Sequence, residues 1–147
     1  MKVFKEIIAY FSHMNNKKRK TVGLALGRGG FRGPAHIGVL TSLIKHNIPI
    51  DYIAGTSIGA VIGAHYALHQ DLEKMQADYF SEQDKKIKYL KDINFKKGIL
   101  SGARLEKSFI KMFENKKFSD TKIPFKAVAT DLYSGEATIL EKGELSK

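Results

Sequence analysis

Residues 21–59 read TVGLALGRGGFRGPAHIGVLTSLIKHNIPIDYIAGTSIG, and this stretch decides the fold. Val22, Leu24, Ala25 and Leu26 make a nearly continuous apolar run, the pattern of a strand buried on both faces of a parallel sheet. A glycine cluster from Gly27 to Gly33 follows. Between Pro34 and His46, the residues Ala35, Val39, Leu40 and Leu43 recur along one side, and Pro34 stands where a first helical turn tolerates proline. Ile48 to Ala54 then reads as a second short strand. Gly55-Thr56-Ser57-Ile58-Gly59 turns from it directly into an apolar helix ending near Leu68. Strand, glycine loop, helix, strand, helix predicts a parallel α/β sheet with right-handed crossovers.

Ser57 has glycine two residues away on each side and lies between a strand and a helix, the arrangement of a nucleophile elbow. In so tight a turn, side chains at Gly55 and Gly59 would collide with neighbouring backbone. The same sharpness leaves the Ser57 hydroxyl exposed at the C-terminal end of the sheet, where open α/β sheets keep their ligand sites. The helix from Ile58 directs backbone N–H groups and a partial positive charge toward that point. Small residues at Ala60, Gly63, Ala64 and Ala67 let this helix press closely on its neighbours.

Gly-x-Ser-x-Gly also occurs by chance, and a serine that merely caps a buried helix is the competing reading. Acyl transfer needs a second feature, a cradle for the oxyanion. The loop from Gly27 to Gly33, with Gly29, Gly30 and Arg32 inside it, offers backbone N–H donors at the end of the adjacent strand. A dinucleotide-binding loop fits less well, since it wants glycine where Arg32 stands and an acidic residue where Ile53 and Ala54 stand. A phosphate-binding P-loop fails because no Gly-Lys-Ser/Thr follows.

Working outward, 147 residues suffice for one domain with a real core. Its 43% hydrophobic and 27% charged residues exclude a disordered chain, and no apolar run approaches the roughly 20 residues of a spanning helix. Without cysteine, chemistry must come from oxygen or nitrogen groups. The net charge of +10 suits an acidic partner, but the lysines are scattered as on a solvated face. Basic residues are not interleaved with stacking aromatics, so no nucleic-acid partner is expected. Phe4, Ile7, Ile8 and Phe11 predict an amphipathic helix over Met1 to Ser12, followed by a basic linker to Lys20. Docking on anionic membrane and packing on the domain are both open to this segment. Lys2, Lys5 and Glu6 interrupt what a signal peptide would need, so a cytoplasmic chain with at most peripheral membrane contact is expected.

Beyond Ser57, Leu72, Met75, Tyr79 and Phe80 mark an amphipathic helix, and Asp84 to Lys97 is charged and weakly periodic, as an exposed connection or a lid would be. Leu105, Phe109, Met112 and Phe113 mark a further helix. Phe125 to Thr130 and Ala137 to Leu140 read as strands around a polar turn from Asp131 to Glu136.

At its two glycine motifs the sequence resembles the patatin-like phospholipase family, particularly the bacterial members, and the resemblance runs from Thr21 to Lys147. Gly27, Gly29, Arg32 and Gly33 match the family's Gly-x-Gly-x-x-Arg-Gly oxyanion loop, followed by Ala35-His36-Ile37-Gly38-Val39. Ser57 matches its nucleophile, flanked by the elbow glycines Gly55 and Gly59. Thr130-Asp131-Leu132 and Ser134-Gly135-Glu136 match a third landmark. The resemblance implies a three-layer α/β fold with a mostly parallel sheet flanked by helices. It implies hydrolysis of a fatty-acyl ester, a phospholipid or lysophospholipid, by a Ser–Asp dyad without histidine, metal or cofactor. The five histidines agree, since none follows His69 to complete a hydrolase triad, and all five read as structural or surface residues. Acyl transfer from a carrier thioester fits less well, since such transferases have histidine where Thr56 stands.

The sequence departs from the family in one respect. The dyad aspartate belongs to an Asp-Gly-Gly or Asp-Gly-Ala segment, and no aspartate of this chain is followed by glycine. Asp131 matches the landmark, not the dyad. The expectation is therefore a basic, amphipathic leader over residues 1–20 and an incomplete patatin-like domain over 21–147, truncated before its base. Without that base Ser57 is a weak nucleophile, and loss of such a unit costs on the order of a million-fold in turnover. A non-catalytic module that binds lipid or a partner through a retained pocket is the alternative.

Overall fold

The computed structural model describes residues 19–27, 29–90 and 102–146. The predicted N-terminal helix, most of the basic linker and the far part of the charged connection lie outside them. In chain order the elements are β1 (Gly23–Leu26), α1 (Gly33–Lys45), β2 (Tyr52–Gly55), α2 (Ile58–His69), α3 (Leu72–Leu90), α4 (Gly102–Phe113), β3 (Phe125–Thr130) and β4 (Ala137–Leu140).

The strands form one sheet in the order β1-β2-β3-β4. β1 runs parallel to β2 with Leu26 beside Gly55, β2 runs parallel to β3 with Gly55 beside Ala127, and β4 returns antiparallel with Ala137 beside Thr130. The α/β class and the mostly parallel sheet are as the sequence predicts. Both parallel crossovers step the same way across the sheet, so right-handed connections place their helices on one face. α2 packs there against β1, β2 and β3, with α1 and α3 against α2. Leu26, Ile53 and Phe125 point into this core and meet Ile58, Ile62 and Met75.

Among the described residues nothing covers the opposite face. Gly23 and Ala25 of β1 are exposed, as are Tyr52, Val128 and Ile139, the last at 59%. This differs from the expectation that β1 is buried on both sides. A run with no polar residue does not by itself say how many faces are covered, because glycine and alanine lose little by exposure.

Two boundaries also differ. β2 begins at Tyr52 rather than Ile48, since the chain leaves α1 through Asn47 at φ 55° and Pro49 has no N–H to give a ladder. Asp51 and Tyr52 then join β1 by donating their amides to the Val22 carbonyl. The charged stretch from Asp84 continues α3 as far as Leu90 instead of opening into a connection. Lys85, Lys86, Lys88 and Leu90 are good helix formers, which weak apolar periodicity concealed.

The start of the sheet is held by one polar group. Asp51 accepts from both terminal nitrogens of Arg19, at 2.7 and 2.5 Å, and from the Val22 amide at 2.8 Å. The Arg19 guanidinium first, and the Val22 amide second, hold the Asp51 carboxyl at about 2.

Candidate active site

β1, β2 and β3 all end at the same edge of the sheet, and each delivers one sequence landmark there. β1 leads into the glycine loop, β2 into Ser57, and β3 into Asp131.

Ser57 joins β2 to α2 with φ 54° and ψ −129°, and its side chain makes no capping hydrogen bond. A helix-capping serine takes extended backbone angles and accepts a bond from the first turn. Ser57 does neither, and the residue is exposed. Positive φ on a residue with a side chain is strained by about 1–3 kcal/mol, and the surrounding backbone holds it there. The Thr56 amide donates to the Leu26 carbonyl at 3.0 Å, while the Ser57 carbonyl accepts from Ala60 at 2.9 Å.

The two elbow glycines explain why the turn cannot relax. A methyl group on Gly55 would stand 2.6 Å from the Ala60 Cα and from the Gly59 carbonyl oxygen. One on Gly59 would strike the carbonyl oxygens of Leu26 and Gly27. The collision with neighbouring backbone expected from the sequence is thus present at both positions. Gly63, one turn on, lies against Ile53 and Phe125, which brings α2 down onto the sheet.

The glycine loop closes as a 3-10 turn over Gly30–Arg32. Gly30 has φ 50°, a conformation that glycine adopts without penalty. The Arg32 amide donates to the Gly29 carbonyl at 2.9 Å, and the Gly33 amide donates to the Gly30 carbonyl. Two of the five loop residues expected to supply oxyanion donors therefore use their N–H groups inside the turn. Periodicity and spacing cannot show this, because it depends on how tightly the loop winds. The loop rests against the elbow, as a methyl group on Gly29 would lie 3.9 Å from the Ile58 side chain. At the mouth of the loop, the Gly27 carbonyl accepts from His36 Nε2 at 3.0 Å. The Arg32 side chain is exposed, and Arg28 lies outside the described residues.

The other described histidines, His46, His65 and His69, make different contacts, and His13 lies outside the described residues. His65, 2% exposed on α2, places Nε2 2.9 Å from Asp78 Oδ2 on α3, and Lys74 Nζ lies 3.2 Å from the same oxygen. Burial lowers the His65 pKa despite the Asp78 carboxylate, and burial also lowers that of His69, whose ring lies 4.7 Å away. Partial burial pushes the Asp78 carboxyl up, but the bonds from His65 and Lys74 outweigh it and hold it below its ordinary value. His46 binds the Ser42 carbonyl of its own helix end.

Asp131 is a turn organiser. Its Oδ1 accepts from the amides of Tyr133 and Ser134, both at 2.9 Å, and from the Ser134 hydroxyl at 3.2 Å. Those bonds, the Ser134 amide foremost, lower its pKa. A groove of about 450 Å³ lined by Phe118, Pro124, Phe125 and Lys126 opens at the other edge of the sheet and does not include Ser57. No described helix is long and apolar enough to cross a membrane.

Comparison with known proteins agrees with this layout. The family model described as Patatin-like phospholipase matches residues 24–145, from within β1 to beyond β4. A patatin-like phospholipase domain-containing protein of Caenorhabditis elegans is 34% identical over 128 residues, covering 84% of this chain and 10% of the relative. Patatin-like phospholipase domain-containing protein 6 of Homo sapiens is 30% identical over 129 residues, covering 85% and 9%. Lysophospholipase NTE1 of Candida albicans is 33% identical over 128 residues, covering 84% and 9%. The chain spans about a tenth of the length of these relatives. With the matched segment containing the glycine loop, the strained serine and the Asp131 turn together, this chain belongs to the patatin-like phospholipase family.

Proposed function

We propose that the chain carries the nucleophile of a lipid acyl hydrolase acting on the carboxylic esters of phospholipids or lysophospholipids. Ser57 Oγ attacks the acyl carbonyl carbon, and the carbonyl oxygen becomes an oxyanion. With the Arg32 and Gly33 amides committed to the turn, the amides of Gly29 and Gly30 are the loop donors assigned to that oxyanion. Such a donor typically contributes about 3 kcal/mol to the transition state. The observation that carries the reading is the contact between elbow and loop: Gly59 sits on the carbonyls of Leu26 and Gly27, and Thr56 is bonded to Leu26. That contact sets an exposed, strained serine beside a glycine loop, which a helix cap does not require.

The proton of Ser57 needs a base. His65 is buried in the α2–α3 joint against Asp78, His69 is half-buried beside it, and Asp131 is held by its own turn. No aspartate of these 147 residues is followed by glycine, as the dyad aspartate implied by the resemblance would be. The relative of Candida albicans named a lysophospholipase points to lysophospholipid as the first substrate to try. Release of free fatty acid from lysophosphatidylcholine by the full-length protein, abolished by Ser57→Ala, is the expected outcome. Equal release by the variant contradicts the reading.

A further inference from the structure

We infer that His36 is a positioning residue that holds the glycine loop in its donor-presenting shape, an inference that rests on the acyl-hydrolase reading of the Ser57 site. A loop built of glycine is easily bent, and oxyanion donors act only if they are aimed before the reaction begins. Something outside the loop must therefore fix it. The Gly27 carbonyl is the point where β1 passes into the loop, and it is gripped from two sides.

From α1, His36 Nε2 lies 3.0 Å from the Gly27 oxygen. A carbonyl can only accept, so Nε2 carries the hydrogen and the ring donates. Helical side chains lean toward the N-terminus of their helix, and this lean carries a ring on the first turn of α1 back across nine residues to the loop mouth. From α2, Gly59 lies close enough to the same oxygen that a side chain there would collide with it. A peptide unit is planar and rigid, so contacts that hold the Gly27 carbonyl restrain the whole first peptide of the loop. The 3-10 turn over Gly30–Arg32 lies three residues further along the chain. Among the described residues, His36 differs in this from His46, which binds its own helix end, and from His65, which pairs across two helices.

The test uses the full-length protein and a p-nitrophenyl acyl ester. His36→Leu removes the donor while keeping bulk, and His36→Gln returns an N–H donor to roughly the same place. The expected result is a kcat about tenfold or more lower in His36→Leu, with KM within about twofold and the melting temperature nearly unchanged. His36→Gln should recover kcat to within about threefold of the parent. An unchanged kcat in His36→Leu, equal losses in both variants, or a loss that follows the melting temperature would each overturn the proposal. If His36→Leu does not fold, His36→Ala with added imidazole is read in its place: restored turnover supports the clamp and absent restoration refutes it. Ser57→Ala is run in parallel. Hydrolysis surviving in that variant means that the acyl-hydrolase reading itself has failed, whereas a lost Ser57→Ala activity with an indifferent His36 means that only the clamp is wrong.

Discussion

The backbone of Gly59, on the first turn of α2, lies so close to the carbonyl oxygen of Leu26, at the end of β1, that no side chain fits between them. That contact joins the elbow to the strand that feeds the loop. Gly59→Ala must push the helix off the sheet, against neighbours that are backbone and cannot rotate away. The variant should lose about 3 kcal/mol of stability, read as a lower urea midpoint at unchanged slope. An unchanged midpoint would mean that the helix start has room to move.

Ser57 holds φ at 54° without a capping bond from its side chain. Glycine adopts this conformation freely. Ser57→Gly should stabilise the fold by about 1 kcal/mol while abolishing reaction at the site. A thermal melt decides it, since a variant less stable than the parent would show that the hydroxyl supports the fold.

The joint between α2 and α3 should respond to acid. Burial depresses both His65 and His69, and the groups facing them are Asp78, Lys74, Asp71 and Glu114. A base whose folded pKa lies below its ordinary 6.5 binds more protons when unfolded. Stability is therefore full above about pH 6.5 and declines as pH falls below it. His65→Gln should flatten that decline, as followed by urea midpoints between about pH 7.5 and 5.5. A slope equal to the parent's would place the titration elsewhere. Asp78→Asn, which deprives the buried ring of its charged acceptor, should cost about 1–3 kcal/mol at neutral pH.

A second acid limb belongs to Asp51. Its carboxyl is held at about 2 against an ordinary 3.8, so the stability it adds is complete above the higher value and lost as pH falls through the lower. Asp51→Asn should remove this limb between about pH 4 and 2. Arg19→Gln should weaken it, because the Val22 amide remains as a donor. Parent and Asp51→Asn curves of equal slope over that window would contradict the assignment.

The parts of the site that were legible in the sequence are those governed by steric exclusion. Gly55 and Gly59 announce a tight turn because nothing larger fits, and strand, loop and helix order follows from hydrophobic pattern on either side of it. Long-range polar pairing leaves no such mark. Arg19 and Asp51 are 32 residues apart, and His65 meets Asp78 across two helices, so neither pair shows in local spacing. His36 leaves a usable signal in the sequence, a hydrogen-bonding ring on the first turn after a glycine loop. The fates of the Arg32 and Gly33 amides were hidden because they depend on loop winding rather than composition.

The account turns on the reactivity of one hydroxyl. A fluorophosphonate incubated with the full-length protein, followed by peptide mass spectrometry, should place the phosphonyl adduct on Ser57 and leave the Ser57→Ala protein unmodified. Labelling of equal extent in the parent and in Ser57→Ala would contradict it.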